Sequence, residues 1–201
     1  LKLDIKDFFG SITFEQLYSS LPNALFPPAI KVLLLKLCTY NDCLPQGAPT
    51  SPYLSNLVMK NFDDYIGEYC EKKNINYTRY SDDLTFSGNM DVQALKSKVQ
   101  SFLDVMGFSL NEEKAKILRR NTKQIITGVV INEKINSSKN YRKKIRQEMY
   151  YIQKYGLDGH NIYTNQNIMF SSLMGKVRYC LFLDSTNKEF KTYEKRLKSM
   201  I

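Results

Sequence analysis

A chain of 201 residues with a hydrophobic share of 43% can bury a sizeable core, and its net charge of +9 favours partners that carry negative charge. A lone histidine, His160, argues against a His-based triad or a His-rich metal site; Cys38, Cys43, Cys70 and Cys180 include no C-x-x-C pair at zinc spacing, which fits reduced thiols in the cytoplasm. No run of about 18 apolar residues is present to span a bilayer, and no signal peptide is visible.

The first predicted element is a strand over residues 1–7, where Leu1, Leu3 and Ile5 alternate with Lys2, Asp4 and Lys6. Asp4 lies near its end, ahead of Phe8, Phe9 and Gly10; taken alone it reads as a surface acid on a strand edge. Helices are predicted at 13–21 and 28–39. Between Leu44 and Asn56, three prolines and a glycine form a stiff loop. It runs into a helix over 52–73, because Leu54, Leu57, Val58, Phe62 and Ile66 fall at helical spacing and Pro52 suits a first turn. Gln46 and the Gly47 N–H are thereby delivered to a helix start, where a nucleotide can be met. A turn that only caps the helix explains this segment more economically.

Residues 76–87 read as a β-hairpin, with strands at 76–81 and 83–87 and with Asp82 and Asp83 side by side at its tip. Adjacent carboxylates repel, and a divalent cation removes the conflict because hard cations take carboxylate oxygens. With Asp4 they would make three acids able to hold two Mg²⁺ ions, the arrangement that clamps both oxygens of a phosphoryl transfer. An Asp-Asp pair in a solvated turn is the plain alternative.

A helix is predicted at 91–106 and strands at 115–119 and 124–131. Polar, serine-bearing residues 132–140 suit a hinge, and helical patterns follow at 141–155, 165–182 and 187–200. Residues 1–120 carry 14 Lys/Arg against 14 Asp/Glu, whereas 121–201 carry 15 against 6. The whole excess of positive charge therefore lies in the second part, as expected of a segment that grips phosphates; a generally basic, soluble surface is the alternative.

The order of these segments carries a resemblance. Asp4 with Phe8-Phe9, then Leu44-Pro45-Gln46-Gly47 with Ser51-Pro52, then Tyr80-Ser81-Asp82-Asp83 closely resembles motifs A, B and C of reverse transcriptases. Gly107-Phe108-Ser109-Leu110-Asn111-Glu112-Glu113-Lys114 looks like motif D, and Gln124-Ile125-Ile126-Thr127-Gly128-Val129-Val130-Ile131-Asn132 like the primer-grip region. The wording is most similar to bacterial retron enzymes, through Gln46-Gly47-Ala48-Pro49-Thr50-Ser51-Pro52, Leu54-Ser55-Asn56 and Thr127-Gly128, with Ile126 where that branch usually carries valine. The chain opens inside motif A. The fingers that reverse transcriptases carry ahead of it would belong to upstream sequence or to a separate segment.

The resemblance implies an α+β fold: a polymerase palm over 1–135, its antiparallel sheet backed by helices, followed by a helical, basic thumb over 136–201. It implies RNA-directed DNA synthesis with two Mg²⁺ ions, or Mn²⁺ in their place, on Asp4, Asp82, Asp83 and the Ile5 carbonyl. Phe8 and Phe9 would offer backbone N–H groups to the triphosphate, with Phe9 as the steric gate against a 2′-OH and plain core packing as the competing reading, stronger for Phe8. Gln46 and Gly47 would meet the nucleotide and Tyr80 the primer end. Lys114 would donate a proton to the leaving pyrophosphate, unless it is only an exposed lysine in a charged run. Thr127, Gly128, Arg142, Lys143, Lys144 and Arg146 would contact nucleic acid. The implied partners are a structured RNA template and primer, the RNA–DNA hybrid, deoxynucleoside triphosphates and an effector protein, in the bacterial cytoplasm, in anti-phage defence and without a membrane. A non-catalytic RNA-binding palm–thumb fragment and a template-independent or protein-primed polymerase of the same superfamily are the alternatives.

Overall fold

Three short strands carry the first half of the chain: β1 (Lys2–Asp4), β2 (Asn76–Tyr80) and β3 (Asp83–Ser87). In the computed structural model they form one antiparallel sheet in the order β1-β3-β2. The structure describes residues 1–119, 121–164 and 170–200, with the backbone alone over 157–164. It has two compact units, Leu1–Leu118 and Arg119–Ile201. The fold is therefore of mixed α and β type with small antiparallel sheets, as expected.

In the first unit the sheet meets α2 (Phe14–Ser20), α3 (Pro28–Cys38), α4 (Ser51–Lys72) and α5 (Val92–Val105), all four close to their predicted bounds; a short α1 (Phe8–Ser11) comes ahead of them. Periodicity explains the long helix. Leu54, Val58, Met59, Phe62, Ile66 and Cys70 fall along one face of α4 and are all buried. Leu3, Ile5, Leu84 and Phe86 from the sheet join the same core, as do Leu95, Val99 and Leu103 of α5. Each such side chain contributes about 1.5–3 kcal/mol through burial. Local signals set the ends. Thr13 and Gln16 form a reciprocal capping box on α2, and the Asp91 carboxylate accepts from the N–H groups of Gln93 and Ala94 at the start of α5. At the other end of α2, buried Lys31 donates to the carbonyls of Tyr18 and Leu21 and to Asn23.

Three expected strands differ. The strand predicted over 1–7 stops at Asp4, because Asp7 takes a left-handed φ of 43° and the chain turns into α1. The strand predicted at 115–119 does not form. Lys116 alone bridges Lys2, since a three-residue β1 has no more edge to offer. The strand predicted at 124–131 is a tight hairpin, β4 (Ile125–Ile126) and β5 (Val129–Val130). Thr127 and Gly128, with φ of 44° and 83°, make its two-residue turn. Positive φ at both loop positions matches the right-handed twist of hairpin strands.

In the second unit this hairpin precedes α6 (Lys139–Thr164), α7 (Phe170–Leu183) and α8 (Lys188–Lys198). Ile145, Met149 and Ile152 recur at helical spacing and are buried with Leu173, Met174, Val177 and Cys180 of α7 and Phe190 and Leu197 of α8. Gly156, at φ 72° and ψ 177°, breaks α6 where the helix predicted over 141–155 was to end. Of the helix predicted at 165–182, residues 165–169 lie outside the described residues; the remainder is α7.

Candidate active site

The sheet brings the acids together. In the register Asp4 of β1 stands directly opposite Asp83 of β3, and Tyr80 of β2 opposite the same Asp83. Residues directly opposite in an antiparallel pair put their side chains on one face. Only Ser81 and Asp82 form the hairpin turn, with Ser81 at a left-handed φ of 56°. The Ile5 N–H donates to the Asp82 carbonyl at 3.0 Å, which ties the turn to the end of β1.

The environment of each carboxylate is distinct. Asp4 is 7% exposed; its Oδ2 accepts from Lys114 Nζ at 2.9 Å, and its Oδ1 is buried without a hydrogen-bond partner. Burial pushes the Asp82 carboxyl up from its ordinary range. The charges of Asp4 and Asp83 add to this, while its own backbone N–H and Lys114 act against it. Asp83 lies 3.8 Å from Lys2 Nζ. Lys114, whose side chain is 60% exposed, is held charged: the hydrogen bond to Asp4 comes first, then the Asp4 charge, and these raise its pKa. Among the described residues no three His, Cys, Asp or Glu side chains already close on one point. The donor set nevertheless fits a hard divalent cation. It is all oxygen, one Oδ is orphaned and buried, and clustered like charges need neutralising.

A cleft of about 390 Å³ opens beside these acids, lined by Phe9, Pro52, Ser55, Asn56, Arg79, Tyr80, Ser81 and Asp82. Phe9 and Asp82 thus face the same space. Tyr80, 72% exposed, is on its rim. Phe8 is buried instead, with its ring against Phe9 and Phe108. Gln46 and Gly47 are exposed in the loop ahead of α4 and are not among the lining residues. Gly47 has a φ of 87°, which a side chain would strain. Ser51 Oγ donates to the Pro45 carbonyl at 2.7 Å and pins that loop to the helix start.

Arg79 escaped the sequence reading. It alternates with Tyr77 on the inward face of β2, and its side chain is 6% exposed. Its guanidinium donates to both Asp63 oxygens, to Asn56 Oδ1 at 3.1 Å and to the Ser81 carbonyl at 3.0 Å. Tyr77 donates its hydroxyl to Asp63 at 2.7 Å. The available signal was an arginine at an inward strand position, because a buried cation requires a partner.

In the second unit, Thr127 and Gly128 form the β4–β5 turn. Lys143 and Lys144 are exposed on α6. Arg142 donates to the Ser137 carbonyl, and Arg146 binds both Glu189 oxygens at 2.7 Å. The two arginines therefore have partners within their own unit, whereas the two lysines point to solvent.

The family model described as reverse transcriptase (RNA-dependent DNA polymerase) matches residues 1–131. The chain is 29% identical to the Retron Ec86 reverse transcriptase of Escherichia coli, over 98% of this chain and 60% of that protein. Identity to the Retron Mx65 reverse transcriptase of Myxococcus xanthus is 34%, over 73% of this chain and 39% of the relative. To the Retron Ec83 reverse transcriptase of Escherichia coli it is 41%, over 44% and 32%. The chain thus spans between 32% and 60% of the length of these relatives.

Proposed function

Because the chain belongs to the reverse transcriptase family, we propose that it is the palm and thumb part of a retron-type RNA-directed DNA polymerase, which copies a structured non-coding RNA into single-stranded DNA. The observation that carries this reading is the shared cleft of Phe9 and Asp82, next to the Asp4–Lys114 pair. The retron relatives support the finer assignment; a role in anti-phage defence alongside an effector protein is part of the same proposal.

Asp4, Asp82 and Asp83, with the Ile5 carbonyl, would hold two Mg²⁺ ions, or Mn²⁺, which supply Lewis-acid stabilisation of the attacking and leaving oxygens when bound. The primer 3′-hydroxyl loses its proton to solvent as its oxygen attacks the α-phosphorus of a deoxynucleoside triphosphate. A new phosphorus–oxygen bond forms, the bond to the β-phosphate oxygen breaks, and pyrophosphate leaves. The Lys114 ammonium gives its proton to that leaving oxygen by exchanging Asp4 for pyrophosphate. Phe9 lies under the sugar, where its ring leaves no room for a 2′-hydroxyl. Backbone N–H groups of Phe8 and Phe9 meet the triphosphate, Gln46 and Gly47 the templating pair, and Tyr80 the primer end. Thr127, Gly128 and the basic face of α6, Lys143 and Lys144 foremost, hold the primer strand and the RNA–DNA hybrid.

Primer extension on an RNA template by the full-length protein tests this. Asp82→Asn abolishes incorporation while RNA binding survives, because the phosphate grip lies elsewhere. Substantial synthesis by a well-folded Asp82→Asn protein overturns the reading.

A further inference from the structure

The Ser81–Asp82 turn is strained, and something must hold it. Ser81 takes a φ of 56°, a region that L side chains without a stabilising contact seldom occupy. Its Oγ is buried without a partner, so its own hydroxyl does not supply the hold. The Ser81 carbonyl, in contrast, accepts 3.0 Å from Arg79 Nη1. The same guanidinium is fixed on its other edges by α4: Nε donates to Asp63 Oδ1 at 2.9 Å, Nη2 to Asp63 Oδ2, and Nη2 also to Asn56 Oδ1 at 3.1 Å. The planar fork spends four of its five donors this way, which a lysine's point charge cannot reproduce.

We propose that Arg79 is a positioning residue for synthesis: by gripping Asp63 and Asn56 on α4 and the Ser81 carbonyl at the turn, it sets where the Asp82 carboxylate stands in the cleft. The inference rests on the polymerase reading of that cleft. It gives the hairpin tip a rigid reference, since α4 is 22 residues long and buried along one whole face. It also joins two sides of the cleft, because Asn56 and Arg79 both line it together with Asp82. A displacement of about 1 Å at a reacting group can cost about 10²-fold in rate.

The test uses full-length protein, an RNA template–primer and steady-state kinetics in deoxynucleotide. Arg79→Met alone leaves Asp63 without its cation and can fail to fold. Arg79→Met combined with Asp63→Asn removes both charges and keeps an acceptor for Tyr77, so it is the informative variant. In that double variant kcat falls about 10²-fold, the nucleotide KM stays within about threefold, and the melting temperature returns toward the parent. Arg79→Lys recovers part of the lost kcat. A parental kcat in the folded double variant overturns the proposal, and so does a change confined to KM, which would make Arg79 a binding group. Asp82→Asn, run in parallel, separates the two levels. If it is inactive while the Arg79 variants are fully active, only this inference fails; if it is active, the polymerase reading itself fails.

Discussion

Asp4 Oδ2 and Lys114 Nζ stand 2.9 Å apart although 110 residues separate them in the chain. The bond joins the end of β1 to the segment after Asn111, whose own N–H donates to the Asp4 carbonyl at 2.7 Å. A carboxylate expected to hold a cation is thus already matched with a largely exposed ammonium. Loss of that lysine is expected to act on chemistry and, because Asp4 is buried, on stability too.

Lys114→Met is therefore expected to slow single-turnover incorporation by about 10²-fold or more, the range for loss of a general acid. The melting temperature should fall as well, because Asp4 is buried and loses its ammonium partner, so the rate is compared on folded protein. Rapid-quench primer extension with a parallel thermal melt checks both. An unchanged rate would reduce Lys114 to a surface charge.

Phe9→Ala should open the cleft beneath the sugar. Competition between ribo- and deoxynucleotides, read by chain termination or alkali lability of the product, should show discrimination falling while deoxynucleotide use persists. Phe8→Ala should behave differently. Its ring is part of the core, so it should lose about 3–5 kcal/mol of stability without a selective change in sugar preference.

For the nucleic-acid grip, the exposed lysines and the engaged arginines separate. Lys143→Ala with Lys144→Ala should flatten the dependence of log K on log salt by roughly two units, about one for each phosphate contact. Arg146→Ala should change that slope less, since its guanidinium is already bound to Glu189. Titrations of an RNA–DNA hybrid at three salt concentrations distinguish them; an unaltered slope in the double lysine variant would remove α6 from the interface.

The Arg146–Glu189 pair also predicts an acid limb. The Arg146 hydrogen bond holds the Glu189 carboxyl below its ordinary value. A depressed folded pKa means the stabilisation is present above the unfolded value and is lost as pH falls through the folded one. Melting curves between about pH 6 and pH 3 should therefore fall less steeply for Glu189→Gln than for the parent. Parallel curves would show that the pair adds nothing.

What the sequence made legible is what local pattern encodes. The stripe of Leu54, Val58, Phe62 and Ile66 announced α4, and the aromatic runs around Asp82 announced the β2–β3 hairpin, within a residue or two of their bounds. The β4–β5 turn was missed because Thr127 is β-branched and reads as strand, although it adopts the left-handed conformation there. The Arg79–Asp63 link was not legible, since it depends on a strand docking against a helix. The sequence likewise counted Arg142 and Arg146 as free cations; Glu189 reaches Arg146 by the packing of α8, and the Ser137 carbonyl reaches Arg142 through the local turn into α6.

The order β1-β3-β2 also dictates when the acids can meet. The β2–β3 hairpin is closed by a two-residue turn and can form within about 1–10 μs of its residues being available. β1 must instead be captured from far away, with Leu3 opposite Leu84; its remaining edge is bridged by Lys116, and Leu110 bridges Ile5 just beyond it. During synthesis on the ribosome, Leu3 therefore stays unpaired until about eighty further residues have emerged, and Asp4 arrives opposite Asp83 only in that non-local step.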